Sequence, residues 1–357
     1  LNYSSDIDLI CLFDESRFAP EDVQDARASF IKVVRRMTSM LSDLTSDGYV
    51  FRTDLRLRPD ASVTPVCISM AAAEAYYEAQ GRTWERAAFI KARACAGDIA
   101  AGERFLKTLT PFVWRKHLDF AAIQDAHDMR LRIRDHKGLH GPIVWEGHNM
   151  KLGQGGIREI EIFTQTRQLI AGGRDPDLRI RGTVPGLKAL AGKGWIEPEA
   201  ANELIAMYRA HREVEHRVQM VADAQTHALP TTSAGFDRLA RMMGENKTDQ
   251  LRQVIKARLN RVAELTEGVF APGESRSGPE MTTEIREIVD GWRSYPALRS
   301  ERAVTIFKRV QPDVLSRLSR SAHPDEALRQ FDGFLRGLPA GVQLFSLFEA
   351  NPSLIDL

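Results

Sequence analysis

Apolar and polar positions alternate through residues 1–13 (LNYSSDIDLICLF) and then turn apolar, as a half-buried strand does. Pro20 opens a helical pattern carried by Phe30, Ile31, Val34, Met37, Met40 and Leu41, and Asp47-Gly48 ends it. Residues 49–58 (YVFRTDLRLR) alternate strictly, which predicts a strand. Phe51, Thr53, Leu55 and Leu57 take one face, and Arg52, Asp54, Arg56 and Arg58 the other. Pro59 closes it, and 64–68 (TPVCI) predicts a further strand. Beyond residue 70 helical periodicity dominates, with breaks near Gly81, Gly97, Gly138–Gly141, Gly153–Gly156, Gly172–Asp177 and Pro230. A few strands followed by many helices predicts an α+β fold, predominantly helical, with the sheet segregated to the N-terminal side. The stretch 272–280 (PGESRSGPE), short, polar and rich in Gly, Pro and Ser, reads as a linker. Four segments follow: 1–115 with the strands, 116–271 helical, the linker, and a further helical region over 281–357.

Composition narrows the function classes. The chain has 357 residues, enough for two or three domains at roughly 150 residues each. Net charge is +1, so no overall field recruits nucleic acid or an anionic membrane, and neither is an expected partner. Any chemistry on phosphates must rest on a local constellation. Cys11, Cys67 and Cys95 show no CxxC spacing, which fits a reducing compartment rather than a disulfide framework. No apolar run is long enough to span a bilayer, and no basic leader precedes the first strand. With Leu1 at its head, the chain reads as a piece entered in mid-domain.

Ser5-Asp6-Ile7-Asp8 sets two carboxylates two residues apart on a strand, so both face one way and Ile7 the other. Asp54 follows on a second strand, and a strand–helix–strand arrangement can bring the three together. Carboxylates clustered in this way repel each other unless a cation neutralises them. Oxygen-only ligation suits Mg²⁺ or Mn²⁺, and Arg56 and Arg58 on the same face offer planar forked donors to phosphate oxygens. A DxD on a strand is also compatible with a solvated face, and strict alternation with a guarded edge strand.

These motifs carry a resemblance. LNYSSDIDL followed by DGYVFRTDLRLRPD is similar to the palm signature of glutamine synthetase adenylyltransferases, within the DNA-polymerase-β-like nucleotidyltransferase superfamily. Further matches are YYEAQGRTWERAAFIKARACAGD (76–98), KLGQGGIREIE (151–161), EHRVQMVADAQTHALP (215–230) and RQFDGFLRGLPAGVQLFSLFEANPSL (329–354). The resemblance implies a nucleotidyltransferase palm over 1–115, with a small mixed or antiparallel sheet, then a helical-bundle domain, and from 281 the start of a region leading to a second catalytic half. It implies that Asp6, Asp8 and Asp54 bind the catalytic Mg²⁺ or Mn²⁺ ions. QGRTWERAAFIKAR and GGIREIE resemble the family's N-terminal form, which removes AMP from a tyrosine of glutamine synthetase by phosphorolysis, with ADP released. Glutamine synthetase, the PII signalling protein, phosphate, ADP and ATP are the implied partners, in the cytoplasm. Two other readings stay open: forward adenylyl transfer from ATP, and a docking module for glutamine synthetase or PII.

Three further features carry two readings each. Gly153-Gln154-Gly155-Gly156 precedes a helical pattern and is either a plain tight turn or an anion cradle of backbone N–H groups. The resemblance places Gly155, Gly156, Arg158 and Glu159 near the substrate, with Glu161 there or merely solvated. Trp84, Glu85, Arg86, Lys91 and Arg93 are expected on one short helix, either as a core tryptophan with snorkelling charges or, through the resemblance, with Arg86 and Lys91 contacting nucleotide or phosphate. The histidines do not predict zinc: His211 and His216 diverge around a helix, and Gly138 breaks the helical spacing of His136 and His140.

Overall fold

The computed structural model describes residues 3–116, 143–267, 288–318, 324–351 and 354. The linker at 272–280, His136, His140 and the glycines at 138–141 lie outside them. The described chain divides into two compact units, one from the residues up to 265 and one from those after it.

In the first unit the strands are short: β1 (Ile7–Asp8), β2 (Cys11–Phe13), β3 (Thr53–Asp54) and β4 (Cys67–Ser69). β1 pairs with β3 and β2 with β4, and both pairs are parallel. This corrects the expectation of a mixed or antiparallel sheet. The reason is the connection: β2 and β3 are separated by α1 (Val23–Ser42), and a helical crossover returns the chain in the same direction. Alternation then sorts the side chains. Phe13 and Cys67 pack with Val34, Phe30 and Ile31 of α1, while Leu12 and Ile68 pack with Ala73, Tyr77, Phe105 and Leu109 on the other side. The helices there are α2 (Met70–Gln80), α3 (Thr83–Phe89), α4 (Ile99–Thr108) and α5 (Thr110–Val113), and Ser69 caps α2 by accepting the Ala72 N–H. Helices on both sides are what parallel strands need.

The ten-residue strand expected over 49–58 shrinks to Thr53–Asp54. Asp54 Oδ1 accepts the Arg56 backbone N–H at 2.8 Å, an Asx turn that bends the chain out of the ladder. The Arg58 guanidinium then donates to the carbonyls of Leu55, Ala61 and Thr64, holding 55–64 as a turn.

The rest of the unit is helical: α6 (Ile157–Ala171), α7 (Thr183–Gly192), α8 (Pro198–Met220), α9 (Ser233–Met242) and α10 (Thr248–Glu267). α6 is buried all round, polar residues included, which makes it the beam on which the others pack. Buried polar groups need partners: Gln168 donates to the carbonyls of Leu178 and Ile180, and Thr164 to that of Ile160. Met150, Val214, Val218, Phe236, Leu239, Ile255 and Leu259 form the principal apolar cluster among α8, α9 and α10.

The second unit contains α11 (Glu301–Leu318), α12 (Pro324–Gly337) and α13 (Val342–Ala350). Trp292 is its centre, packed edge-on against Phe307 and Phe331. Its indole N–H donates to Asp332, which also accepts the Tyr295 hydroxyl at 2.8 Å. Among the described residues no helix is long and apolar enough to cross a membrane.

Candidate active site

The register of β1 and β3 decides where the aspartates meet. Asp8 lies directly opposite Asp54, and the ladder is closed by the Leu9 N–H to the Asp54 carbonyl at 2.8 Å. Asp6 lies just ahead of β1, two residues before Asp8. The approach to the strand is anchored from outside the sheet: the Ser4 N–H donates to Gln219 Oε1 of α8 at 3.0 Å, and Arg52 donates to the Ser4 hydroxyl. Of the three aspartates expected to meet, the strand register sets Asp8 opposite Asp54.

The electrostatics are those of an under-neutralised cluster. Asp8 is open to solvent, yet its carboxyl is pushed above the usual range, first by desolvation and then by the charges of Asp54 and Asp6, with Lys151 and Arg56 opposing. Asp54 moves the other way because Arg56 holds it, with Nε at 3.0 and 2.9 Å from its two oxygens. Among the described residues no three His, Cys, Asp or Glu side chains converge tightly enough to hold a metal ion. The donor set nonetheless has the chemistry of a hard-cation site: oxygen ligands alone and surplus negative charge at Asp8.

A second charged centre lies on α6. Glu161 is 3 % exposed and accepts from Lys91 at 3.1 Å, Arg158 at 3.4 Å, Arg212 at 2.9 Å and the Tyr208 hydroxyl at 3.2 Å. Burial alone would raise its pKa, but Lys91, Arg158 and Arg212 outweigh it and hold the carboxyl at about 2. Arg212 also donates to Glu215 at 2.8 Å, and Glu215 meets His227 at 2.8 Å. Lys91 and Arg158 thus sit side by side on one buried carboxylate. The reading of Glu161 as a solvated helix residue is overturned by its burial.

The glycine turn is a packing turn. Gly155 has a φ of +70°, and a Cβ there would stand 1.9 Å from the Leu259 carbonyl oxygen of α10. Its N–H donates to Glu159 Oε2 at 2.9 Å. The N–H groups of Gly153, Gly156, Ile157, Arg158 and Glu159 go to the carbonyls of Asn149, Gly153, Met150, Lys151 and Gly156. With those donors spent inside the turn, the anion cradle expected at Gly155 and Gly156 is corrected to a structural role, and Glu159 is its buried cap. The neutral ring of His211 packs beneath, its Nε2 3.1 Å from the Gly155 carbonyl, and burial lowers its pKa to about 4.

Arg86 is also corrected. It is fully buried, and its guanidinium donates to the Val113 carbonyl. Trp84, the expected core residue, is instead 36 % exposed, and Lys91 and Arg93 lie beyond the end of α3. Arg58 is committed to the carbonyls of its own turn. Of the cations proposed from sequence for phosphate, Arg56 stands beside the aspartates, while Lys91 and Arg158 stand on Glu161. The sequence reading missed Arg212, whose spacing from Glu215 within one helix was the available signal.

Residues 1–108 match the family described as glutamate-ammonia ligase adenylyltransferase, and residues 127–270 match GlnD PII-uridylyltransferase. All of the chain aligns with proteins named bifunctional glutamine synthetase adenylyltransferase/adenylyl-removing enzyme. Identity is 45% to that of Brucella suis biovar 1, 47% to that of Rhizobium meliloti and 43% to that of Rhodopseudomonas palustris strain TIE-1. The chain is similar to these adenylyltransferases along its whole length. It spans 39% of the length of each of these relatives. The match to a uridylyltransferase over the helical segment was not anticipated from sequence.

Proposed function

We propose that this chain removes AMP from an adenylylated tyrosine of glutamine synthetase by metal-dependent phosphorolysis, acting in the cytoplasm as the adenylyl-removing half of a longer enzyme. The observation that carries the reading is the register of Asp8 against Asp54 on adjacent parallel strands, with Asp6 two residues ahead of Asp8 and adding to the negative charge there. On this reading 1–115 is the nucleotidyltransferase palm, 116–271 its helical domain and 281–357 the lead into a second half.

Asp6, Asp8 and Asp54 would hold Mg²⁺ or Mn²⁺, which supplies charge stabilisation at the oxygens of an in-line phosphoryl displacement. An oxygen of inorganic phosphate bonds to the adenylyl phosphorus and the bond from phosphorus to the tyrosine oxygen breaks. ADP forms, and the tyrosine leaves as a phenolate that takes up a proton. The task of the protein is to bring two anions together. Arg56, exposed and lying against Asp54, is available to a phosphate oxygen. Lys91 and Arg158, held on Glu161, add positive charge on the helical side. The direction rests on the resemblance of 80–93 and 155–161 to the adenylyl-removing form. The match of 127–270 to a PII-uridylyltransferase favours one further role, recognition of the PII protein by the helical segment.

The test is incubation of adenylylated glutamine synthetase with the protein, phosphate and Mg²⁺. ADP should appear with wild type and fall at least about a hundredfold with Asp6→Asn or Asp8→Asn while the fold persists. Passage of label from ATP onto the tyrosine, without ADP release from phosphate, would instead establish the forward reaction.

A further inference from the structure

The apolar face of α1 is wider than the face it buries. Phe30, Ile31 and Val34 pack with Phe13 and Cys67 of the strands. Val33, Met40 and Leu44, by contrast, are 60, 72 and 80 % exposed, and Met37 between them is half-buried. Their spacing of four, three and four residues keeps them on one side of the helix, with Leu44 just past its end. The chain then folds back on this end: the Val50 and Phe51 N–H groups both donate to the Leu41 carbonyl, at 3.0 and 2.8 Å. Both of those side chains are exposed and add to the apolar surface there. Exposed apolar residues scattered singly are normal, whereas a continuous stripe marks a contact surface.

The charges beside the stripe fall into two blocks. Lys32 and Arg36 accompany its Val33 end, and Asp43 and Asp47 its Leu44 end. Arg36 is exposed and has no ion pair or hydrogen bond among the described residues. Asp43 is fixed at the helix end, its N–H donating to the Ser39 carbonyl at 2.9 Å and its carboxylate accepting from the Ser39 hydroxyl. Such a helix is complementary to itself. Laid antiparallel on a second copy, with Met37 facing Met40 and Val33 facing Leu44, it sets Arg36 beside Asp43 of the other copy, and does so twice. A parallel alignment offers no such pair. We propose that this stripe is the seat of a symmetric dimer of the chain, α1 packed antiparallel on α1. The two-block charge pattern is what selects a second copy over an unrelated apolar partner. The inference is independent of the nucleotidyl-transfer reading.

Sedimentation velocity of the 357-residue chain from about 1 to 200 µM tests it. One helix face is a small interface, so wild type should pass from monomer to dimer with a dissociation constant on the order of 10 µM. Met40→Glu and Leu44→Glu should each weaken association at least about tenfold. Both residues are exposed, and thermal unfolding of each variant monitors the fold. Arg36→Asp and Asp43→Arg should each weaken self-association, while an equimolar mixture of the two should recover it, because each variant then meets its complement. Dimerisation that survives both glutamate substitutions in folded protein overturns the assignment, as does a mixture that recovers nothing. Wild type that stays monomeric throughout also overturns it, and leaves the stripe to a partner of another kind.

Discussion

Asp8 and Glu161 are carboxylates in the same unit whose surroundings push them in opposite directions. Asp8 stands at a strand end opposite Asp54 and close to Asp6, and its carboxyl is raised. Glu161 lies in the middle of a buried helix with three cations upon it, and its carboxyl is held at about 2. Burial disfavours charge at both positions; what differs is the sign of the neighbours. Glu161 is a completed centre whose partners all come from the protein. Asp8 stands among carboxylates of the same sign, with Lys151 and Arg56 only partly opposing them.

The comparison breaks first at Glu161. Glu161→Gln leaves Lys91, Arg158 and Arg212 without their shared counter-charge and should cost about 3 kcal/mol, read as a lower urea midpoint. An unchanged midpoint would show that solvent replaces the carboxylate and that the centre is decorative. Next in size, Gly155→Ala combines a left-handed backbone with a clash on the Leu259 carbonyl and should destabilise by about 2 kcal/mol or more. The same unfolding assay reads it.

Acid titration sharpens the contrast through its sign. Glu161 has a depressed pKa in the folded state, so its stabilisation is complete above the ordinary carboxylate range and is lost as pH falls from there toward 2. His211 is depressed to about 4, so stability also falls as the unfolded chain takes up its proton below the ordinary histidine range. Asp8 behaves oppositely, because a raised pKa means that its ionised form works against the fold at neutral pH. Without divalent ions, Asp8→Asn should therefore gain up to about 1 kcal/mol at neutral pH, discounted for solvent screening. The gain should vanish once acid protonates Asp8 in wild type. A loss at neutral pH would contradict the charge surplus.

The architecture was legible where one physical rule acted alone. The apolar periodicity gave α1 and α2, and the order of strands and helices gave an α+β chain. The reading failed where side chains override backbone pattern. Strict alternation over 49–58 predicts a long strand, but Asp54 takes the Arg56 N–H and Arg58 gathers three carbonyls, neither of which a period-two pattern encodes. Parallel pairing follows from the α1 crossover, a consequence of connection rather than of strand sequence. In the helical segment, charge was taken as a sign of surface, yet Arg86 and Glu85 are buried while Trp84 is exposed. Only tertiary partners decide that: Val113 supplies a carbonyl for Arg86, and Tyr76 a hydroxyl for Glu85.

The proposed function requires Asp6, Asp8 and Asp54 to bind a hard divalent cation. Mn²⁺ titration followed by the electron paramagnetic resonance signal of the free ion tests it directly. Wild type should deplete the free-ion signal, Mg²⁺ should restore it by competition, and Asp8→Asn should leave it close to that of buffer. Equal depletion by wild type and Asp8→Asn would place the ion elsewhere and contradict the account.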